Sequence, residues 1–463
     1  MKTKILIVFL SISLISIAGL CEAQELLPAN ELTLEEAVSI ALKHNYDIRM
    51  AEKDESSAKM DQGKSIGAYL PKLSVNNTYS KPDQHTVDLA EEAYKANVAA
   101  AQQLGRGASQ IRPTVFDNNY QFSFIVTQPI FNGGAEIAGI MAATDTKHQA
   151  NYSLENTQLK TVLNVKQAYY GVLKTDALRK VAEETLNLAQ ESLKLAQARY
   201  EVGEVPRQTV LRFEAQVAQA EGAAIEALNN LELAMIALSN LMGVQLSEKY
   251  KISSLPEDIS EKTMENLEGP VYQFNEDLSS VNYHPGVMVM NESIELAKDN
   301  RFLAISDVLP KINFQFQQEW WNQDKLGKIF DSEPSWTAGI SISLPIFDSF
   351  SGGFDIASKQ QQLTKARLAK DQFVRSFLQQ SLSTKLSINA AKKRVLAAQK
   401  ERVQADENLK IVTSRLELGL ASNLDVLDAQ LAYNQARSDV INSVSDFFIA
   451  LANWEYVSEK KTH

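Results

Sequence analysis

Two hydrophobic periods alternate along this chain of 463 residues, and each occurs in both halves. Short stretches with a period of two lie at Leu73–Tyr79, Tyr120–Thr127, Ile312–Gln317 and Trp336–Leu344. In the last, Trp336, Ala338, Ile340, Ile342 and Leu344 share one face, and Thr337, Gly339, Ser341 and Ser343 share the other. Such alternation predicts strands with one apolar and one wet face. Two far longer stretches are helical. From Gly134 to about Tyr200 there is no proline, and from Gly353 to about Leu418 there is neither proline nor glycine. At 1.5 Å per residue each predicts a helix roughly 100 Å long. Apolar residues recur in them every seven positions (Leu186, Leu193, Tyr200; Ala182, Ala189, Ala196; Ala398, Ala405, Val412, with Leu409 and Leu416 beside them), the seam of a coiled coil. Gly203 and Gly419 then turn the chain, and return helices are expected over Thr209–Leu241 and Asn423–Glu455.

The remaining elements fit around these. Thr33-Leu-Glu-Glu36 is a capping box that opens a helix expected to run to Ile66, ended by Gly67 and Pro71. A long loop, 81–118, contains a further helix, Val87–Leu104, and the loop 322–335 is shorter and polar. Pro129 and Pro345 are expected to close the second strand of each pair, where a missing N–H is tolerated.

The chain is therefore duplicated. Tyr69-Leu-Pro-Lys-Leu73 is answered by Val308-Leu-Pro-Lys-Ile312, and Pro129-Ile-Phe-Asn-Gly-Gly134 by Pro345-Ile-Phe-Asp-Ser-Phe-Ser-Gly-Gly353. Arg199-Tyr-Glu-Val-Gly203 is answered by Arg415-Leu-Glu-Leu-Gly419. The expected organisation is a leader at 1–23, a first repeat at 24–243, a connector at 244–284 and a second repeat at 285–463.

Lys2 and Lys4 followed by the apolar run to Leu20 read as a secretion signal cleaved after Ala23; lipidation of Cys21 is the rival reading, against which Leu20 stands where a small residue is usual. The formal charge is −11, and becomes −12 without Lys2, Lys4 and Glu22, which argues against a nucleic-acid partner. No apolar run after the leader is long enough for a membrane helix. No constellation supports an enzyme or a cofactor. Gly63-Lys64-Ser65 lacks the upstream glycine of a phosphate loop, with Ala58 in its place. His44, His85, His148, His284 and His463 have no metal-ligand spacing, and His284 before Pro285 reads as a helix cap.

Four strands of about ten residues cannot close a barrel, for which eight is the usual minimum, and open edges are not tolerated in lipid. Strands that enter a membrane therefore demand oligomerisation, and three copies give twelve strands. Three of the four tryptophans, Trp320, Trp321 and Trp336, lie with Phe122, Phe124 and Phe131 in or beside these strands, as expected of a membrane-interface belt. A soluble β-sandwich is the alternative, but the helical hairpins leave it no globular core to join.

These motifs, above all the two Leu-Pro-Lys entries, the Pro-Ile-Phe exits and the tip Leu418-Gly-Leu-Ala-Ser-Asn-Leu-Asp-Val-Leu-Asp-Ala-Gln430, resemble the TolC-like outer-membrane efflux protein family over essentially the whole mature chain. The resemblance implies a mainly α fold: coiled-coil hairpins form a periplasmic tunnel beneath a trimeric, twelve-stranded membrane β-barrel. It implies a passive channel working with a periplasmic adaptor and an inner-membrane pump. Asp425 and Asp428, at i and i+3, would ring the periplasmic mouth, although a role for Asp425 in capping the helix is compatible. The family's tyrosine and arginine gate positions are held here by Leu416 and Ala421, leaving Tyr200, Arg207 and Arg212 as candidate substitutes. Adaptor contact is implied around Gly203 and Glu204 and around Gly419, Leu420 and Ser422. The rival functions are a periplasmic adaptor, which needs only one hairpin, and a non-conducting envelope scaffold.

Overall fold

A computed structural model describes residues 31–104, 118–244, 251–256, 259–272, 281–322 and 326–458. The leader with Cys21, parts of the connector and His463 lie outside the described residues. The strands are β1 (Glu31–Leu32), β2 (Lys72–Ser80), β3 (Asn119–Asn132), β4 (Lys251–Ile252), β5 (Lys311–Asn322) and β6 (Ser335–Ser343). The helices are α1 (Leu34–His44), α2 (Tyr46–Gly67), α3 (Gln84–Gln103), α4 (Ala135–Glu201), α5 (Arg207–Met242), α6 (Glu261–Tyr272), α7 (Pro285–Ser306), α8 (Ser351–Glu417) and α9 (Asn423–Ser458). Among the described residues no helix is long and apolar enough to cross a membrane.

The duplication is exact in length where it matters. α4 and α8 each have 67 residues, and α5 and α9 each have 36. One offset carries Ala135 onto Ser351, Gly203 onto Gly419 and Met242 onto Ser458. It also corrects the expected pairing of the glycine pairs. The left-handed residues before α4 are Gly133 and Gly134, whereas before α8 they are Ser349 and Phe350, with φ of 59° and 66°. Gly352 and Gly353 belong to the first turn of α8 instead.

Two compact units are formed, each drawing on both repeats: one from residues up to Arg49, Gln158–Phe274 and Ser383–Ser458, the other from Met50–Thr157 and Asn275–Leu382. In the first, the core is built from α1, α4, α5, α8 and α9 around Phe447, Val165, Val172, Leu238, Met242 and Val395. Trp454, the one tryptophan away from the strands, is buried there. The Tyr169 hydroxyl donates to the Leu32 carbonyl at 3.0 Å, tying α4 to the small parallel pair β1–β4. Further along α4 and α5, Ala189, Val217 and Ala220 are buried against Leu186 and Leu193, so the sevenfold rows do form the hairpin seam.

The helix expected over 33–66 is broken at Asn45. The capping box at Thr33 and Glu36 forms, but Asn45 takes extended backbone with ψ of 132°. Its Oδ1 accepts from the N–H groups of Asp47 at 2.8 Å and Ile48 at 3.2 Å, capping α2, while its Nδ2 donates to the Leu241 carbonyl at 2.7 Å.

The second unit holds an antiparallel sheet in the order β2-β3-β5-β6, so the central pair joins one strand from each repeat. Pro129 does not end β3. The strand continues to Asn132 across a register shift between Pro129 and Phe131, a bulge that spares the ladder the missing N–H. The chain then turns at Gly133, where an added Cβ would meet the Ser306 carbonyl at 2.3 Å, so only glycine lets β3 leave beside the end of α7. His284 caps α7 as expected, its Nδ1 accepting from the Gly286 N–H at 3.1 Å.

Candidate functional site

Directly paired residues share a face of a sheet, so the register sorts every strand residue. One face carries Leu73, Val75 and Tyr79 from β2, Tyr120, Phe122, Phe124 and Val126 from β3, Ile312, Phe314, Phe316 and Trp320 from β5, and Trp336, Ala338, Ile340 and Ile342 from β6, with Asn77, Gln128, Gln318 and Asn322 as its polar members. The other carries serine, threonine, asparagine and glutamine almost throughout, with Ile125 the aliphatic exception. The apolar face is not a core: Val75, Trp336, Ile340 and Ile342 are 57%, 68%, 64% and 72% exposed. Every residue of β2 and β6, the two edge strands, is exposed as well.

Aromatic rings concentrate at the end of the sheet nearest the 81–118 and 323–334 loops. Phe122, Trp320 and Phe330 form a triad with centroids 5.0–5.6 Å apart, and Tyr79 stacks on Tyr120 at 4.8 Å. Phe124 lies on the same face, and Trp336 packs near Phe316. Phe330 was not legible in the sequence, because its 3₁₀ turn, Leu326–Asp331, has no strand period. Trp321 is a correction. As the neighbour of Trp320 in a strand it points to the polar face, so it leaves the apolar belt. There its Nε1 donates to Glu319 at 3.4 Å, and Glu319 also accepts from Gln121 at 2.9 Å and from Gln317.

The hairpin tips belong to the other unit. Both end their long helix with the same pair of bonds. Gly203 N–H donates to Tyr200 and Glu204 N–H to Arg199, and Gly419 N–H donates to Leu416 and Leu420 N–H to Arg415, all at 2.8–3.0 Å. With φ of 81° and 73° at the glycines these are Schellman motifs, whose left-handed residue is cheap only for glycine. Ser422 caps α9. Its N–H and hydroxyl each donate to Asp425 Oδ2 at 2.8 Å, and its Oγ accepts from the Asp425 N–H at 3.2 Å. The capping reading of Asp425 is thus realised, as the third helical residue of a capping box rather than as the cap itself. The bonds from Ser422 hold the Asp425 carboxyl below its usual range, helped by Arg415. Asp428 is exposed one turn further on.

Between the two hairpins lies a cleft of about 500 Å³ lined by Arg199, Arg212, Leu416, Ala421 and Leu427, among others. Of the candidate gate residues, Arg212 reaches this cleft; Tyr200 and Arg207 are exposed and do not line it. Arg199, which lines this cleft and a neighbouring one, went unread in the sequence because its role as a motif residue hid its position. The offset places Thr209 and Arg212 at the first-hairpin positions of Asp425 and Asp428, so the two tips differ in charge.

A sheet with an open apolar face and bare edges, a polar opposite face and two helical hairpins on one duplicated chain matches a known architecture. The model of the family described as outer membrane efflux protein matches residues 37–244 and 282–453. The chain belongs to this family. It is an outer-membrane channel protein with a periplasmic helical part, and the family is one of transporters rather than enzymes. Outer membrane efflux protein BepC of Brucella suis is 22% identical over 391 residues, which cover 82% of each chain. The proteases secretion protein PrtF of Dickeya chrysanthemi is 23% identical over 99% of this chain and 92% of its own. The Campylobacter jejuni CmeC outer membrane channel has the same fold, with a TM-score of 0.77 at 16% identity over 97% of this chain and 92% of that one. Vibrio cholerae VceC follows with a TM-score of 0.73 at 18% identity, over 92% and 96%.

Among the histidines of this efflux protein, His148 is not scattered. It stands across from Glu292, with Nδ1 and Oε2 3.8 Å apart, and beside Asp145, a grouping made by two helices and invisible to spacing in the sequence.

Proposed function

We propose that three copies of this chain close into a twelve-stranded barrel and a helical tunnel, forming the outer-membrane conduit of an efflux or secretion assembly. The open sheet carries this reading. β2 and β6 run in opposite directions, because each of the three ladders between them is antiparallel. A second copy added edge to edge therefore extends an all-antiparallel sheet, and a closed ring of copies removes both edges. The apolar face then meets lipid and the polar face lines water. Outside the sheet, Ile225 and Ile236 on α5 and Leu386 on α8 are 71%, 64% and 70% exposed, apolar surface that neighbouring copies would cover.

A periplasmic adaptor would grip the tips around Gly203, Glu204, Gly419, Leu420 and Ser422 and couple them to an inner-membrane pump. Asp425 and Asp428 would ring the mouth and admit cations over anions, with Arg212, which lines the cleft between the hairpins, as a basic partner of the gate. The deciding experiment is single-channel recording in a planar bilayer, comparing the native chain with Asp425→Ala/Asp428→Ala. Cation-selective current that loses selectivity in the double variant supports both conduit and ring. Inserted protein that conducts only with anion preference overturns the ring, and the absence of any current even from a variant shortened past the tips overturns the conduit.

A further inference from the structure

The helices that flank the central strands carry a cluster the channel reading does not use. α4 leaves β3 and α7 enters β5, and the two run antiparallel, with the Gln149 side chain donating to Ser293 Oγ at 2.7 Å. Asp145 and His148, one turn apart on α4, face Glu292 and Asp299 on α7. One ligand atom from each of Asp145, His148 and Glu292 lies within 4.8 Å of the others. Asp299 lies beside Asp145, is 6% exposed, and its Oδ2 is buried with no hydrogen-bond partner among the described residues. A neighbouring lysine, Lys298, is paired with Glu295 at 2.6 Å.

We propose that Asp145, His148 and Glu292, backed by Asp299, bind one divalent transition-metal ion that ties α4 to α7. An imidazole among carboxylates favours zinc-like ions over magnesium or calcium, which take oxygen ligands alone. Ligand atoms around a tetrahedral zinc stand about 3.3 Å apart, so the side chains need draw in by only about 1–2 Å, a rotamer adjustment. The site joins the first repeat to the second, and its existence does not depend on what the channel carries.

The test is titration of the purified full chain, in detergent and stripped by chelator, with ZnCl₂, alongside His148→Ala and Glu292→Gln. One equivalent of zinc per chain, at least about tenfold weaker in His148→Ala, supports the site. A rise in melting temperature with zinc in the native chain but in neither variant supports it independently. Co²⁺ in place of zinc should give visible absorption bands of a low-coordinate site, lost in His148→Ala. Glu292→Gln keeps shape and helix propensity, so a loss there is not a folding defect. Equal zinc affinity in all three proteins overturns the proposal, as does no binding to the native chain. Displacement of zinc by equimolar Mg²⁺ overturns the assignment to a transition metal.

Discussion

Ser422 and Asp425 hold each other at the start of α9, Ser422 donating twice to the carboxylate and accepting once from the Asp425 N–H. One acid therefore both caps the helix and charges the tip, and the two roles separate by mutation. Asp425→Asn keeps an acceptor for Ser422 but removes the charge. With Asp428→Asn it should lower cation selectivity, read as a shifted reversal potential in a salt gradient, without loosening the tip. Ser422→Ala should do the reverse, raising protease sensitivity at 418–424 with selectivity near native.

The same contact sets a pH limit. The Asp425 carboxyl is held below its ordinary value, so its capping contribution is full above the unfolded pKa near 3.9 and is lost only as pH falls through the lower folded value. Tip protease resistance should stay flat from neutral pH down to about 4 and fall below that; a loss centred near pH 6 would contradict the assignment.

Gly419 and Gly133 predict different costs for the same substitution. Both have positive φ, 73° and 64°, but an added Cβ at Gly419 meets open space, whereas at Gly133 it meets the Ser306 carbonyl at 2.3 Å. Gly419→Ala should cost about 1–2 kcal/mol of local backbone strain and leave assembly intact. Gly133→Ala should sharply reduce the amount of assembled protein recovered from outer membranes, measured as the heat-modifiable oligomer on a gel.

The two faces of β6 should differ as sharply. Ile340→Lys places a charge on the open apolar face, at about 2–4 kcal/mol per copy if it lies near the bilayer midplane, and should abolish the oligomer. Ser341→Lys, its neighbour on the polar face, should assemble normally and reduce cation conductance in the planar bilayer. Equal tolerance of both would contradict the lipid and water assignment of the faces.

Asn45→Ala removes the cap of α2 and the bond to the Leu241 carbonyl together. The expected loss is about 1–2 kcal/mol, read as a lower melting temperature.

What the sequence determined by itself is everything governed by a short repeat. Period two marked four strands and their wet and apolar faces; period seven, with Gly203 and Gly419, marked both hairpins; the duplicated motifs tied them into one family pattern. These signals are local, because a strand face or a helix stripe is set by residues a few positions apart. What only the tertiary structure decided depends on partners far along the chain. Asn45 breaks a helix because Leu241 and the N–H groups of α2 both claim its side chain. β3 outlasts Pro129 because β5 accommodates a bulge there. Ser349 and Phe350 take left-handed backbone where the first repeat has glycines, because the matching position is set by the length of α8 rather than by the nearest Gly-Gly. His148 meets Asp145 and Glu292 only because two helices from different repeats pack together.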